Sequence, residues 1–296
     1  MYYSNSTKVF LNGSFISGKD AQSSTYSQSL HYGSGVFEGL RSYKTEEGTK
    51  IFKAQEHYER LLYSAEKMHI KVNYNVDDLT NKTYELLKVN NLSNAYIRPL
   101  IYSGANMALL PTEESNLFIC AWKWDRYLGD GGLNVMTSRY ERPNPKSCHV
   151  DTKVTGHYTN SILASTDAKE KGYDEALLLD QHGFVAESPG ANFFFEKDGK
   201  IYTPRTGNIL PGITRSTIIN IAKELGYEVE EGLYHLKDVY GADSAFFTGT
   251  AVEVANIQSL DNVKFSKEWK GTIGYELSLA YNQLVIGKYQ QAVTII

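Results

Sequence analysis

The sequence predicts an α+β protein of two domains, in which antiparallel strands alternate with amphipathic helices. Strand-prone runs flank Asn12-Gly13, a pair typical of tight hairpins, and two more hairpins are predicted beyond residue 176. Apolar residues recur at helical spacing between the strands. A glycine-containing loop at 127–133 separates a predicted small N-terminal domain, residues 1–126, from a larger domain, residues 134–296.

The composition narrows the functional classes. A chain of 296 residues with 42% hydrophobic and 22% charged residues is ordinary for a packed globular protein. Its net charge of −4 carries no polybasic run, so we expect neither nucleic acid nor a membrane as partner, and small metabolites instead. No long apolar stretch predicts a membrane span or a leader, which favours a cytoplasmic location. Cys120 and Cys148 have no metal-binding spacing.

The first half contains the N-terminal hairpin and then two helices, predicted at 55–68 and 76–88. Strands follow at 94–102 and 117–122. Pro99 lies inside the first of these, and because proline donates no backbone hydrogen bond we expect a sheet edge or a strand end there.

The second half begins with a strand at 133–137, followed by a helix at 158–171 that ends at Gly172. Hairpins predicted at 177–186 and 193–202 indicate a second antiparallel sheet. Further along, we predict a helix opening at Leu210-Pro211-Gly212-Ile213, a strand at 244–254 and a closing helix at 274–286.

Two residues in the second half suggest the chemistry. Lys153 lies in a polar, glycine-containing segment just ahead of a helix start, where it can present an amine to a carbonyl group. Glu187 ends an apolar strand, so its carboxylate is expected to point into a pocket. A reactive lysine, a buried acid and a phosphate site downstream suggest pyridoxal phosphate.

Two segments are candidates for that phosphate site. Unpaired N–H groups and the helix dipole converge at the helix start of Ile213 and Thr214, and the turn of residues 248–251 presents successive N–H groups. Neither pattern alone specifies an anion. The glycine-rich stretch at 31–41 is weaker still, since no Walker pattern follows it.

Taken together, the segments from Val9 to about Leu260 resemble the branched-chain amino acid aminotransferases, which are fold-type IV enzymes dependent on pyridoxal 5'-phosphate. The motifs that carry the resemblance occur in the family's order: His31-Tyr-Gly-x-x-Val-Phe-Glu-Gly39, Tyr96-Ile-Arg-Pro-Leu100, Tyr127-Leu-Gly129, Lys153 with Tyr158, Glu187, Leu210-Pro-Gly-Ile-Thr-Arg215 and Thr248-Gly-Thr-Ala251. The resemblance implies a small α/β sandwich-like domain, a larger domain with antiparallel sheets and helices, an active site between them, and a homodimer or higher homo-oligomer.

The resemblance also implies the roles of individual residues. Lys153 is the catalytic residue, which bonds to the cofactor and then moves the proton at the substrate Cα. Glu187 keeps the pyridine nitrogen protonated. The implied cofactor-binding residues are Lys153, Arg60, Tyr158, Glu187, Gly190, Leu210, Gly212, Ile213, Thr214, Gly249 and Thr250. The implied substrate-binding residues are Tyr32, Phe37, Gly39, Tyr96, Arg98, Met107, Trp124, Tyr127, Thr250 and Ala251.

Other activities of the same fold share the lysine, the glutamate and the phosphate helix. They are D-amino acid aminotransferase, (R)-selective amine transaminase and aminodeoxychorismate lyase, and the motifs beginning at His31 and Tyr96 favour the branched-chain enzymes over them. A non-catalytic relative is disfavoured because the lysine and glutamate are present. The chain has His157 and Ala191 where many members have asparagine and glutamate, so the ranking of leucine, isoleucine and valine stays open.

Overall fold

A computed structural model describes residue 4 and residues 6–124 and 132–289. Residues 127–131 of the predicted loop, and with them Tyr127, lie outside the described residues. The rest of the chain divides into two compact units.

The first unit comprises the described residues of Met1–Asp125 together with Thr152–His157, and the second comprises those of Arg126–Asp151 and Tyr158–Ile296. The short segment Thr152–His157 lies within the sequence range predicted for the larger domain, but it packs with the first unit. The lysine of interest, Lys153, therefore belongs to the first unit.

Seven strands and three α-helices make up the described part of the first unit. In chain order they are β1 (Lys8–Leu11), β2 (Ser14–Ser17), α1 (Gln28–Tyr32), β3 (Gly35–Phe37), β4 (Leu40–Thr45), β5 (Gly48–Ile51), α2 (Ala54–Lys67), α3 (Val76–Val89), β6 (Ala95–Ser103) and β7 (Ser115–Lys123). The strands form one antiparallel sheet in the order β2-β1-β7-β6-β4-β5, and β3 pairs with the far end of β6.

Helices α2 and α3 supply much of the core of this unit. Leu61 on α2 and Leu79 and Leu86 on α3 are fully buried and join the strands in one hydrophobic cluster, as their helical spacing predicts. The start of α3 is fixed by Asn75 and Asp78, each of whose side chains accepts a hydrogen bond from the backbone N–H of the other.

The prediction that Pro99 marks a sheet edge is wrong, because β6 lies inside the sheet with β7 on one side and β3 and β4 on the other. The Pro99 carbonyl accepts the Glu38 N–H (3.0 Å), so this residue faces the short break between β3 and β4. A residue without an N–H loses no ladder bond at such a break.

The second unit holds eight strands and four α-helices among its described residues. In chain order they are β8 (Leu133–Thr137), α4 (Tyr158–Glu170), β9 (Glu175–Leu177), β10 (Asn192–Lys197), β11 (Lys200–Pro204), α5 (Ile213–Glu224), β12 (Val229–Gly232), α6 (Leu236–Tyr240), β13 (Ser244–Gly249), β14 (Glu253–Leu260), β15 (Val263–Lys264) and α7 (Ile273–Val285). The sheet order is β12-β11-β10-β13-β14-β8-β9, with β15 on β14.

This second sheet is mixed, which corrects the prediction of an antiparallel one. Strand β8 runs parallel to β9 and to β14, and β11 runs parallel to β12. The connections from β8 to β9 and from β11 to β12 contain α4 and α5, and a helical crossover returns the chain in the same direction. The hairpin predicted at 177–186 is present but irregular: Leu179 bridges to Val185, the Asp180 N–H donates to the Phe184 carbonyl (2.8 Å), and the Ala186 N–H donates to the Leu178 carbonyl (3.0 Å).

The apolar run of β10 lies in the core of the second unit. Phe193, Phe194 and Phe195 are each at most 2% exposed, so both faces of β10 are covered. Phe194 stacks on Phe246 of the neighbouring strand with ring centres 5.0 Å apart. No helix in the described part of the chain is long and apolar enough to cross a membrane.

Candidate active site

Lys153 lies on a segment whose backbone is fixed between a strand and a helix of the first unit. Its carbonyl accepts the Phe37 N–H (3.0 Å), and its own N–H donates to Ser64 Oγ (3.2 Å). The next residue, Val154, is buried and bridges to β3. The Lys153 Nζ lies 5.1 Å from the centre of the Phe37 ring. A half-buried amine on a fixed backbone suits a nucleophile or a proton carrier.

A fully buried carboxylate, Glu38, lies at the break between β3 and β4 and binds two basic side chains of α2. Arg60 forms a two-pronged pair with it, Nε to Oε1 at 2.6 Å and Nη2 to Oε2 at 2.9 Å. The His57 Nδ1 lies 2.8 Å from Oε2. His57 and Arg60 are three residues apart, so they lie on the same helix face. Arg60 is thus held in a fixed orientation, and its implied contact with phosphate stays a prediction.

The protonation states of this cluster follow from burial and charge. Burial raises the pKa of the Glu38 carboxyl, but the Arg60 guanidinium and the hydrogen bond with His57 outweigh burial and hold that pKa well below its usual range. Burial lowers the pKa of His57; Glu38 opposes this effect, while the charges of Arg60 and Lys153 add to it. At neutral pH the cluster is an ionised carboxylate with a guanidinium and a neutral imidazole.

The predicted substrate residues of the first unit cluster around Tyr96 and Arg98 on β6. Arg98 Nη2 donates to Tyr96 Oη (3.1 Å), and its guanidinium carbon lies 4.6 Å from the centre of the Phe37 ring. The Trp124 and Tyr96 ring centres are 5.3 Å apart. A Cβ on Gly39 would lie 2.0 Å from Tyr96 Oη, so glycine at this position makes room for the tyrosine hydroxyl. Phe37, Tyr96 and Trp124 therefore form an aromatic cluster next to the Arg98 guanidinium, with Phe37 and Tyr96 buried.

Two other predicted substrate residues also contact each other. The Tyr32 hydroxyl donates to the Met107 carbonyl (3.3 Å), and the two side chains are 48% and 50% exposed. Tyr127 lies outside the described residues.

Glu187, in the second unit, is 5% exposed, which agrees with the expected burial of its carboxylate. It precedes a sharp turn and forms a single bridge with Asn192, where the sequence predicts the end of a strand. Its Oε1 accepts the Leu210 N–H (3.0 Å) and lies 2.9 Å from Arg142 Nε, and its Oε2 accepts from Asn192 Nδ2 (2.8 Å). Such partners favour the ionised form.

Helix α5 begins at Ile213 with Gly212 as its N-cap, and no side chain caps it. Its first N–H groups lack partners within the helix, and the helix dipole adds positive potential at the same end. Thr214, in the first turn, is 3% exposed. The helix start therefore has the properties of an anion site.

The hairpin between β13 and β14 holds the remaining predicted residues. Gly249 pairs with Glu253, so Thr250, Ala251 and Val252 form the turn. A Cβ on Gly249 would lie 3.4 Å from the Gly190 carbonyl oxygen, which brings these two predicted cofactor residues side by side.

The predicted residues thus fall into two groups. The first unit holds Lys153, Arg60, Tyr32, Phe37, Gly39, Tyr96, Arg98, Met107 and Trp124. Glu187, Gly190, Leu210, Gly212, Ile213, Thr214, Gly249, Thr250 and Ala251 belong to the second. Tyr158 begins α4 and belongs to the second unit, although it follows Lys153 by only five residues.

Sequence reasoning missed the side chains that support these groups. Glu38 lies within the motif ending at Gly39, and a charged residue between two apolar strand runs is its only signal. His57 is one turn before Arg60. Arg142 occurs in a polar, proline-containing loop, where an arginine usually faces solvent. Asn192 gives no signal beyond its place after Ala191 in a family motif.

Known proteins are similar to this chain over most of its length. The sequence profile of the family described as Amino-transferase class IV matches residues 35–260. The branched-chain-amino-acid aminotransferase of Pseudomonas aeruginosa is 40% identical over 286 residues, covering 95% of this chain and 93% of that protein.

Two solved structures are similar over 97% of both chains. The branched-chain aminotransferase of Thermoproteus uzoniensis, determined with norvaline, has a TM-score of 0.92 and 34% identity. The T.th. branched-chain amino acid aminotransferase, complexed with N-(5'-phosphopyridoxyl)-L-glutamate, has a TM-score of 0.91 and 36% identity. With its motifs in the family's order and similarity along nearly its whole length, the chain belongs to the class IV aminotransferases and, among them, to the branched-chain-amino-acid aminotransferase family.

Proposed function

We propose that the chain catalyses the reversible transfer of the amino group from L-leucine, L-isoleucine or L-valine to 2-oxoglutarate, with pyridoxal 5'-phosphate as cofactor. The products are the branched 2-oxo acid and L-glutamate. The relatives' activity supports the branched-chain substrates, and the phosphopyridoxyl-glutamate complex of the T.th. enzyme supports the cofactor and the glutamate half-reaction.

The observation that carries the proposal is the set of groups around Glu187. A buried carboxylate suits a protonated pyridine nitrogen, and an uncapped helix start suits a phosphate. Leu210, whose N–H donates to Glu187, is three residues before α5 begins at Ile213. The buried Thr248 hydroxyl makes no hydrogen bond within the described part of the chain, so a polar atom is also left for a ligand. The residues of the second unit therefore fit the two charged ends of pyridoxal phosphate.

Each predicted cofactor residue then has a physical role. When bound, the cofactor supplies an electron sink that makes the substrate Cα proton acidic. Lys153 would hold the cofactor covalently, and once the substrate amine displaces it, its free Nζ would move the proton between the substrate Cα and the cofactor. Glu187 holds the proton on the ring nitrogen, and Tyr158 donates to the ring oxygen. We assign the phosphate to Arg60, Ile213, Thr214 and Thr250, with Gly190, Leu210, Gly212 and Gly249 shaping the site.

The substrate residues have to serve two different side chains. We assign the apolar side chain of leucine to Phe37, Trp124, Tyr127 and Tyr32. We assign the distal carboxylate of 2-oxoglutarate to Tyr96 and Arg98, because a guanidinium and a hydroxyl that already contact each other suit a carboxylate. Gly39 makes room for Tyr96, and the Thr250 and Ala251 N–H groups take the α-carboxylate.

We also propose a homodimer or a higher homo-oligomer, to which Met107 and its neighbours contribute. Leu109 and Leu110 are 82% and 70% exposed, and adjacent exposed leucines are typical of a surface that another protein covers. Light scattering on the purified protein should give a mass of at least two chains, and Leu109→Asp with Leu110→Asp should lower it. A cytoplasmic location stays a prediction.

An absorbance titration tests the proposed activity. The purified protein with pyridoxal phosphate should show the visible band of a lysine-linked cofactor; L-leucine should remove the band, and 2-oxoglutarate should restore it. A protein that binds no pyridoxal phosphate would contradict the whole proposal. A band that ignores leucine and responds to D-alanine would contradict the substrate class alone.

Lys153→Ala is the matched variant for this titration. It removes the amine and leaves the Lys153 backbone bonds in place, because both bonds come from backbone atoms. We expect transfer to fall by at least about 10²–10⁴-fold, the usual contribution of a positioned proton carrier, with an unchanged circular dichroism spectrum.

A further inference from the structure

Asn192 makes side-chain contacts with each of the two parts of the second unit that are assigned to the cofactor. Its Nδ2 donates to Glu187 Oε2 (2.8 Å) and to the Leu210 carbonyl (2.9 Å), and the Leu210 N–H donates to Glu187 Oε1 (3.0 Å). Asn192 is 5% exposed, so these hydrogen bonds are protected from water. Glu187, Asn192 and Leu210 therefore form a closed ring of hydrogen bonds.

The other atom of the Asn192 amide faces Gly212. A Cβ added to Gly212 would lie 1.8 Å from Asn192 Oδ1 and 3.1 Å from its Cγ. The backbone of Gly212, with φ −70° and ψ 133°, is open to any residue, so its conformation does not require glycine. Gly212 is required because the Asn192 amide occupies the place of a side chain immediately before α5.

We propose that Asn192 is a positioning residue that sets the distance between the Glu187 carboxylate and the N-terminus of α5. Under the proposed function, on which this inference rests, these two groups bind the ring nitrogen and the phosphate of one cofactor molecule. A rigid spacer between them aligns both contacts before the cofactor arrives, and pre-alignment of this kind increases affinity. Alanine lacks the amide, and aspartate would place a second carboxylate against Glu187.

The test compares pyridoxal phosphate, which is assigned to both Glu187 and the N-terminus of α5, with pyridoxal and inorganic phosphate, each of which can use only one of these groups. Dissociation constants of pyridoxal phosphate, pyridoxal and inorganic phosphate are measured for the wild-type apoprotein and for Asn192→Ala, with melting temperatures recorded in parallel. We expect Asn192→Ala to weaken the binding of pyridoxal phosphate by roughly 10–100-fold, which is the effect of losing hydrogen bonds to a charged group. The binding of pyridoxal and of phosphate should weaken much less, because neither ligand spans the distance between Glu187 and the N-terminus of α5.

A double-variant cycle provides an independent measurement. Gly212→Ala should also weaken the binding of pyridoxal phosphate by roughly 10–100-fold, because its Cβ clashes with the Asn192 amide. In the Asn192→Ala background the same change should cost much less binding affinity, because the 1.8 Å clash with Asn192 Oδ1 is gone and only the 3.1 Å contact with Arg215 Cβ remains. Gly271→Ala is the control, since nothing lies within 4 Å of its Cβ position.

The outcomes separate this inference from the function beneath it. Equal weakening of all three ligands by Asn192→Ala would overturn the positioning role and indicate general damage to the fold. So would Gly212→Ala effects that are independent of residue 192. If Gly212→Ala does not fold, the three-ligand comparison on Asn192→Ala decides alone. A wild-type protein that binds no pyridoxal phosphate overturns both the function and the inference. If the wild type responds to leucine but Asn192→Ala shows no loss of binding specific to pyridoxal phosphate, only the inference is overturned.

Discussion

Glu38 in the first unit and Glu187 in the second are both buried carboxylates beside an arginine, yet they bind differently. Arg60 engages both oxygens of Glu38, and a histidine of the same helix adds a third contact. Arg142 contacts Oε1 of Glu187 through Nε. Uncharged amide groups from the backbone and from an asparagine also bind Glu187.

The difference teaches how each negative charge is used. A two-pronged pair with a guanidinium neutralises the Glu38 carboxylate locally, so Glu38 serves to orient Arg60. Glu187 is held by the Arg142 guanidinium and by neutral amide groups that fix its position, and under the proposed function its charge stabilises a proton on the cofactor. Burial and an adjacent arginine therefore do not identify a catalytic carboxylate by themselves.

The largest expected effect tests the first half of this comparison. Glu38→Gln removes the charge that pairs with Arg60, a side chain only 12% exposed. We expect the free energy of unfolding to fall by about 3–5 kcal/mol, the usual cost of breaking a buried ion pair by removing one partner. Guanidinium denaturation at neutral pH measures it.

A paired replacement controls for the loss of packing. Glu38→Leu combined with Arg60→Met exchanges the ion pair for apolar contacts and should be more stable than Glu38→Gln. If Glu38→Gln is as stable as the wild type, the carboxylate does not anchor Arg60.

The second prediction concerns turnover. Glu187→Gln keeps an acceptor for the Leu210 N–H but cannot hold a proton on the ring nitrogen. We expect kcat to fall by roughly 10²–10³-fold, as for other losses of preorganised electrostatic stabilisation, when the cofactor is saturating. At the same saturation Glu38→Gln should lose much less kcat, and equal losses in stopped-flow half-reactions with L-leucine would break the distinction between the two carboxylates.

A smaller effect is expected at the residues of the first unit that we assign to the substrate. Gly39→Ala forces Tyr96 away from its position, at a cost of about 1–3 kcal/mol for overpacking. Because Tyr96 contacts Arg98, the KM for 2-oxoglutarate should rise more than the KM for L-leucine. Steady-state kinetics with each substrate varied in turn measures this, with Gly271→Ala as the control. Equal increases in both KM values would contradict the assignment of the distal carboxylate to this pair.

The smallest predicted effect is in the acid stability of the protein. The pKa of Glu38 is lower in the folded protein than its ordinary value of 4.5, so its contribution to stability is complete above pH 4.5 and is lost as the pH falls toward the folded value. The wild type should therefore lose stability in acid faster than Glu38→Gln, by at most about 1.4 kcal/mol per pH unit. Denaturation curves at several acidic pH values compare the two slopes, and equal slopes would contradict the lowered pKa.

Local patterns predicted the features that depend on neighbouring residues. Helical spacing located α2 and α3, and the Pro-Gly pair before Ile213 located the start of α5. The burial of Glu187 also followed from its apolar run. These features depend on periodicity and capping, which a short stretch of sequence contains.

The missed features depend on residues distant in sequence. Glu38 meets Arg60 across 22 residues and Glu187 meets Arg142 across 45, and no spacing rule links such positions. The parallel pairing of β9 with β8 depends on a helical crossover whose return direction the strand residues do not encode. The interior position of Pro99 depends on a gap in the neighbouring strands.

The segment that carries Lys153 also makes the first unit discontinuous along the chain. Val154 is 3% exposed within its hydrophobic core, and the Lys153 carbonyl accepts the Phe37 N–H, yet both residues follow the last strand of that unit by about thirty positions. During synthesis, residues 1–125 therefore emerge before Val154, which is part of the core of their unit. The packing of this unit is completed only after residue 157 has emerged, and the same late event places the reactive amine.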